Sequence, residues 1–457
     1  MQTTFSMKAD AYPLLRLAIP LALTGLAQSA SFFFTTIFLA HLGPKILAAG
    51  SLVSWLFATL VIVLFGTLSS INVLVSHKHG AKDQEGIALI ARDGLLLAAL
   101  LAIPGFLLLW NMAPIFLLFG QPESVVLIAK PYLHALSWGL LASFLTMACL
   151  EVTIGIGLAR IALVYSIVAV TLNIFFNYVL IFGKFGFPAL GIDGAGWGFT
   201  VECWVTLIML GAYIALNKKL RPYFCNIFTL KKSVFLVELL RVGLPIGVMY
   251  CFEVAFFFAL TLSMGILGTV TQAANQVALQ YLCLMMSIIF SIAQAITVRM
   301  GHLLGEKETA LAKNASHIGI FIVIIFMSLV ACVYWIFPSF LISLDFNIHN
   351  SVNYEIIREI KPLLAICALF QIVEATRIAL FGSLRALKDT RFTMLASIIS
   401  FWCIALPVGF FLAIYWHLGG TGFWWGMVMG AAVSVTLLYK RFQSRIKRYY
   451  RPTMRFH

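Results

Sequence analysis

LLRLAIP at residues 14–20 returns as LLRVGLP at residues 239–245, and this pair of segments decides how the chain is read. Carried outward at the same offset, Leu42-Gly43 falls on Leu267-Gly268, Ala48-Ala49 on Ala273-Ala274, Gly80 on Gly305 and Lys82 on Lys307. Toward the end of each half the register slips by a few residues, yet Gly191, Gly194, Trp197 and Gly198 still match Gly419, Gly422, Trp425 and Gly426. The chain is two copies of one scaffold. At matching register the first copy carries Gln28 and the second Glu253. A scaffold that is duplicated while an acid is placed in one copy has built a site there, and a long-period repeat in an apolar chain is a transporter signature.

Composition places the chain in a bilayer. Hydrophobic residues make up 62% and charged residues 11% of its 457 positions, against about 25% charged in soluble domains. Apolar runs long enough to span the hydrocarbon core recur throughout, near 17–39, 46–75, 89–119, 131–156, 161–183 and 192–216, then 242–267, 273–300, 315–343, 361–384, 392–416 and 419–440. The expectation is an all-α integral membrane protein with twelve transmembrane helices in two pseudo-symmetric six-helix lobes. The first lobe covers 1–217, a polar cytoplasmic linker 218–237, the second lobe 238–440 and a basic tail 441–457. The short alternating segments of a transmembrane β-barrel are absent, and the first apolar run belongs to the repeat, not to a cleavable signal.

The formal net charge of +14 reports topology. With loops assigned alternately, the set containing both termini holds 25 of the 31 Lys and Arg; the opposite set holds Lys45, Lys130, Lys184, Arg358 and Lys361, and Arg377 lies within a span. The positive-inside rule then puts both termini in the cytoplasm. The last 18 residues, KRFQSRIKRYYRPTMRFH, form an orientation anchor with attraction to anionic lipid rather than a nucleic-acid surface. The loops HGAKDQEG (79–86) and GEKETALAK (305–313) are each expected to open a short surface helix before the third span of their half.

Four acids stand out inside the spans, Glu151, Glu202, Glu253 and Glu374. Intramembrane charge is costly, so each needs a partner or a hydrated cavity. Glu151 lies near a cytoplasmic helix end within snorkelling reach of Arg160, and Glu202 reads first as a protonated group bonded to a neighbouring helix. Glu253 follows Pro245, which frees a carbonyl and bends its helix. Glu374 lies midway along the tenth span, and neither its counterpart, Ser143, nor that of Glu253 is acidic. Two carboxylates facing one cavity repel as anions and attract a proton or a cation. Arg377, three residues after Glu374, can touch it on one helix face, as a structural ion pair or as a tethered counter-ion released when substrate or proton arrives.

No GxxxxGK[ST] loop cradles a nucleotide phosphate, and the nine His and eight Cys show no HExxH or CxxC spacing. Energy for transport would come from an ion gradient or from a partner; no cofactor is expected, and no enzyme activity.

The chain resembles the MATE (multidrug and toxic compound extrusion) family over essentially its whole length, most closely its NorM-like branch. LAIPLALTGLAQSASFFFTT (17–36) resembles the family's first helix, NIFFNYVLIFGKFGFPALGIDGAGWG (173–198) its fifth helix and following loop, RVGLPIGVMYCFEV (241–254) and AANQVAL (273–279) its helices seven and eight, and GSLRALKDTRF (382–392) the end of helix ten. The resemblance implies two lobes around a V-shaped central cavity and export of amphipathic, mostly cationic compounds in exchange for Na⁺ or H⁺. It also implies a monomer in a bacterial inner membrane, with membrane lipids around it. The family's helix-seven and helix-ten carboxylates fall on Glu253 and Glu374, which would hold the proton or Na⁺. Asn173 and Asn177 match first-lobe polar positions, and Gln276, with its neighbour Asn275, matches helix eight; Gln28 adds a polar group to helix one. Thr35 stands where bacterial members commonly carry a first-helix aspartate, and Arg377 where the position is usually uncharged. The alternative is a flippase or exporter of a lipid-linked precursor, which would want a basic cavity.

Overall fold

A computed structural model describes residues 7–224, 232–346 and 353–450. Twelve helices are long and apolar enough to cross a membrane, and no strand occurs among the described residues. In chain order they are α1 (Met7–Ala40), α2 (Pro44–Gly80, interrupted at Ser69), α3 (Gln84–Trp110), α4 (Glu123–Gly155), α5 (Ala159–Phe182) and α6 (Ile192–Leu216). The second half gives α7 (Leu236–Leu267), α8 (Thr269–Gly305), α9 (Thr309–Ile336), α10 (Tyr354–Ala386), α11 (Thr390–Tyr415) and α12 (Gly420–Tyr450). This is the twelve-span architecture expected from the apolar runs. Short helices Met112–Leu118, Arg221–Phe224 and Pro338–Asp345 lie between spans.

The chain divides into two compact units, one of Met1–Ala22 with Val248–His457 and one of Leu23–Gly247. Both changes of unit fall inside a helix, α1 and α7, two residues after Pro20 and Pro245. The repeated segment therefore has a structural meaning. LLRLAIP packs with the helices of the second half, where Leu14 is buried and lies close to Gly319. LLRVGLP packs with those of the first half, where Leu239 joins the core. Within each unit one helix is central: α4 packs on α3 and α6, and α10 on α8, α9 and α12. Part of the expected linker, 225–231, lies outside the described residues, as does the end of the basic tail, 451–457.

The loops expected to open surface helices are tight turns instead. After α2 the Lys82 amide donates to the His79 carbonyl and the Asp83 amide to that of Lys78; after α8 Lys307 donates to Leu304 and Glu308 to Leu303. The same pair of bonds closes α4 at Gly157 and Leu158 and α10 at Lys388 and Asp389. These are Schellman turns with the residue after the helix in the left-handed region, at φ 57° for Lys82, 86° for Gly157, 65° for Lys307 and 57° for Lys388. The next helix begins at once, capped in the first case by the Asp83 carboxylate, which accepts from the Gly86 amide. Polarity in these loops serves turn and cap, leaving no residues for a separate surface helix.

Candidate functional site

In the second half α10 presents Glu374 and Arg377 on one face, three residues apart as i,i+3 neighbours are. The guanidinium holds Glu374 along one edge with two nitrogens, Nε to Oε2 at 2.9 Å and Nη2 to Oε1 at 2.6 Å. Its remaining nitrogen, Nη1, lies 2.9 Å from Oε1 of Glu253 on α7. Nη1 also donates to the Ser397 hydroxyl of α11 at 3.2 Å, and that hydroxyl donates to Glu253 Oε1 at 2.7 Å. The face of the guanidinium lies 5.0 Å from the Phe401 ring centroid, a cation–π contact, and Phe256 of α7 backs that ring. Phe401 sits in a π-helical stretch of α11, Ile399–Ala405, where the wider turn re-aims side chains as such bulges often do at functional sites. Trp402 of the same stretch ties α11 to α7 through the Phe252 carbonyl at 3.1 Å.

Two acids and one guanidinium leave the cluster one negative charge. The Arg377 and Glu374 side chains keep 3% and 7% of their surface, and that of Glu253 keeps 12%. Glu253 is thus the most exposed of the three, and Glu374 is the acid that the arginine holds through two nitrogens.

In the first half, Asn173 and Asn177 of α5 meet Ser31 and Thr35 of α1. Asn173 Oδ1 accepts from Ser31 at 2.8 Å and from Asn177 Nδ2 at 3.0 Å, and the same Nδ2 reaches Thr35 Oγ1 at 3.1 Å. Thr35 therefore takes part in the network as an acceptor, without charge.

Comparison with known proteins follows the same division. The MatE family profile matches residues 20–179 and 245–411. The chain belongs to the MATE family. The probable multidrug resistance protein NorM of Burkholderia mallei is 34% identical over 431 residues, covering 94% of this chain and 92% of the relative. Among solved structures, the eukaryotic MATE transporter AtDTX14 superposes with a TM-score of 0.83 at 21% identity, over 97% of this chain and 98% of that one. A MOP superfamily transporter from Pyrococcus furiosus does so at 0.87 and 21%, over 99% and 100%. The chain is thus a multi-pass membrane protein of a family of secondary transporters, not an enzyme.

Within this MATE scaffold the remaining expected residues disperse. Gln28 is exposed on α1 and joins none of these groups, and Gln276 is exposed on α8. Asn275 is buried and accepts from the Trp424 indole at 3.0 Å. Glu151 is met by the Asn72 amide of α2, while its expected partner Arg160 is exposed. Burial that deep on the central helix leaves no route for snorkelling.

Sequence reading missed two acids. Asp93 on α3 is fully buried; it accepts from the backbone amides of Val234 and Phe235 at 2.8 and 2.7 Å, while Arg92 bonds both Asp93 and the Lys232 carbonyl. The pair clamps the chain leading into α7, and the adjacent opposite charges inside an apolar run were the signal for it. Asp389, between α10 and α11, holds Arg441 at 2.7 Å and Arg445 at 2.6 Å. Those bonds fix the first turns of the basic tail as a continuation of α12. Burial pushes the Asp389 carboxyl up, but the two guanidiniums outweigh it and hold it below the usual carboxylate value.

Proposed function

We propose that this chain is an antiporter of the bacterial inner membrane, with both termini cytoplasmic, exporting amphipathic, mostly cationic compounds in exchange for H⁺ or Na⁺. Coupling runs through Glu253, Glu374 and Arg377. The single observation that carries this reading is Arg377 bridging both acids. A buried cluster left with one negative charge favours capture of one positive charge, and the partly accessible Glu253 receives it. When a proton or Na⁺ arrives there, Arg377 loses its hold on Glu253 but keeps its two-nitrogen pair with Glu374. The tie between α7 and α10 is then released and remade once per cycle. A cationic substrate competes for the same charge, which makes occupancy by ion and by substrate exclusive. The asymmetric acids and the positive-inside count support the direction of the reading.

Reconstitution in liposomes with an imposed Na⁺ or H⁺ gradient, read by efflux of a fluorescent cation, tests it. Glu253→Gln is expected to insert and fold but to lose gradient-driven export. Export at the parent's rate would remove the coupling assignment.

A further inference from the structure

We propose that Glu202 of α6 is a second proton-binding site, housed in the first half and separate from the Glu253–Arg377–Glu374 cluster. The residue is 6% exposed, and every group that bonds its carboxylate is neutral. The Thr206 hydroxyl lies 3.4 Å from Oε1 and is shared with the Glu202 and Cys203 carbonyls at 2.8 and 3.2 Å. The Cys203 thiol lies 3.7 Å from Oε2, and the Asn173 side chain completes the set. A buried anion held by one shared hydroxyl, one thiol and one amide is poorly compensated. Taking up a proton removes that cost without any movement of charge from elsewhere.

Among the described residues, no Lys, Arg or His bonds Glu202. The titratable groups facing Glu202 are its neighbour Cys203 and Tyr165 of α5, whose hydroxyl donates to Thr206 at 3.0 Å. From α4 come neutral Ser143 beside Cys203 and Thr146 beside Tyr165. Arg221 and Tyr223 stand beyond the far end of α6. A second observation marks the place as unfinished. Asn177 Oδ1 is buried with no hydrogen-bond partner, and it presses on α6 at Gly198, where a Cβ would displace it. Gly198 lies one turn before Glu202, so an unpaired acceptor from α5 and a weakly held carboxylate of α6 lie against adjacent turns of α6.

The site also has an outlet. Asn173, which faces Glu202, accepts at its own Oδ1 from Ser31 and Asn177, and Asn177 reaches Thr35. A proton on Glu202 turns an acceptor into a donor beside Asn173, and the change is transmitted through one amide to Ser31 and through the next to Thr35, both on α1. In this chain α6 carries the charge of a network whose α1 member, Thr35, cannot ionise.

The full-length protein in lipid, titrated from acid to alkaline pH under infrared spectroscopy, tests this without requiring transport. The parent is expected to show a protonated-carboxyl C=O band that disappears as pH rises. That band should be missing from Glu202→Gln and retained in Glu253→Gln. Identical bands in parent and Glu202→Gln would overturn the proposal, and so would a Glu202 band that never titrates, which marks a permanently neutral helix bridge. If Glu202→Gln fails to fold, Glu202→Asp serves: a moved midpoint supports the site and an unmoved one overturns it. A failed export assay for Glu253→Gln bears only on the other cluster.

Discussion

In the second half Glu253 and Glu374 share one guanidinium at 2.9 and 2.6 Å, whereas in the first half Glu202 meets a hydroxyl at 3.4 Å, a thiol at 3.7 Å and an amide. The scaffold glycines around them are the same. Gly198 and Gly426 hold equivalent register, and each sits where a Cβ would collide. Gly198 admits the Asn177 amide of α5, while Gly426 admits the backbone of α11 at Ala405 and Gly409. Duplication has kept the places where helices approach and changed what is pressed into them. Packing constrains a glycine in both copies, but nothing in packing requires the electrostatics to match. An acid with a built-in cation is held in geometry by a charge; an acid with neutral donors is held by weaker, uncharged bonds.

Removing the shared cation is the harshest way to break this contrast. Arg377→Ala leaves two carboxylates facing each other in an enclosed site, and breaking a buried pair costs about 3–5 kcal/mol. A large fall in melting temperature in detergent is expected, smaller at acid pH or high Na⁺, since either ligand removes the repulsion. A melting temperature that falls and ignores both would mean that Arg377 is a structural clasp and that no ion takes its place.

The two acids should then separate by anchorage. Glu374→Gln removes the charge from both hydrogen bonds of the guanidinium grip, at about 1.5–3 kcal/mol for charged hydrogen bonds. Glu253→Gln leaves that grip intact and should melt closer to the parent while losing export equally. Equal destabilisation would show that Glu253 is as much an anchor as Glu374.

Much of this was legible in the sequence and some was not. The twelve spans, the repeat and the pairing of Glu374 with Arg377 follow from run length, register and i,i+3 spacing, all of which are local. That Arg377 also reaches Glu253, through Ser397 and under Phe401, depends on how α7, α10 and α11 pack, and no spacing encodes it. Glu202 read as a bonded helix bridge; its partners come from its own helix and from α5, and only their neutrality, seen together, changes its meaning. The turn at Lys82 misread as a surface helix because polar residues serve a turn and a cap equally well. The repeated LLRLAIP and LLRVGLP segments marked the duplication, but not that each belongs to the opposite unit.

A milder break concerns the clamps at the ends of the helices. Asp389→Asn should loosen the last turns of α12 by about 1 kcal/mol, because Arg441 and Arg445 are about a third exposed and water screens them. The sign with pH is fixed by the depressed carboxyl. Its contribution is present above the unfolded carboxylate value of about 3.9 and is lost as pH falls through the lower folded value. Parent and Asp389→Asn should therefore converge in melting temperature in acid and part at neutral pH. Curves that stay parallel would show that the two arginines do not depend on this charge.

The smallest effect compares the turns. Gly157 ends α4 and Lys307 ends α8 in the same Schellman geometry, at φ 86° and 65°. A side chain in the left-handed region costs about 1–2 kcal/mol that glycine avoids. Two terms oppose the gain from Lys307→Gly. Glycine loosens the unfolded chain by about 0.4–1 kcal/mol, and the lysine's charge favours the C-terminal end of α8 by about 0.3–1 kcal/mol. The balance falls near zero, so Lys307→Gly alone should move the melting temperature little. Lys307→Asn removes the charge, keeps a residue that tolerates this conformation and adds no glycine entropy, so it separates the terms. If Lys307→Asn melts lower than Lys307→Gly, backbone strain dominates and the first half's glycine is the better-fitted turn. If both melt lower than the parent by the same margin, the lysine's charge dominates, and α8 keeps a strained residue for its electrostatics where α4 does not.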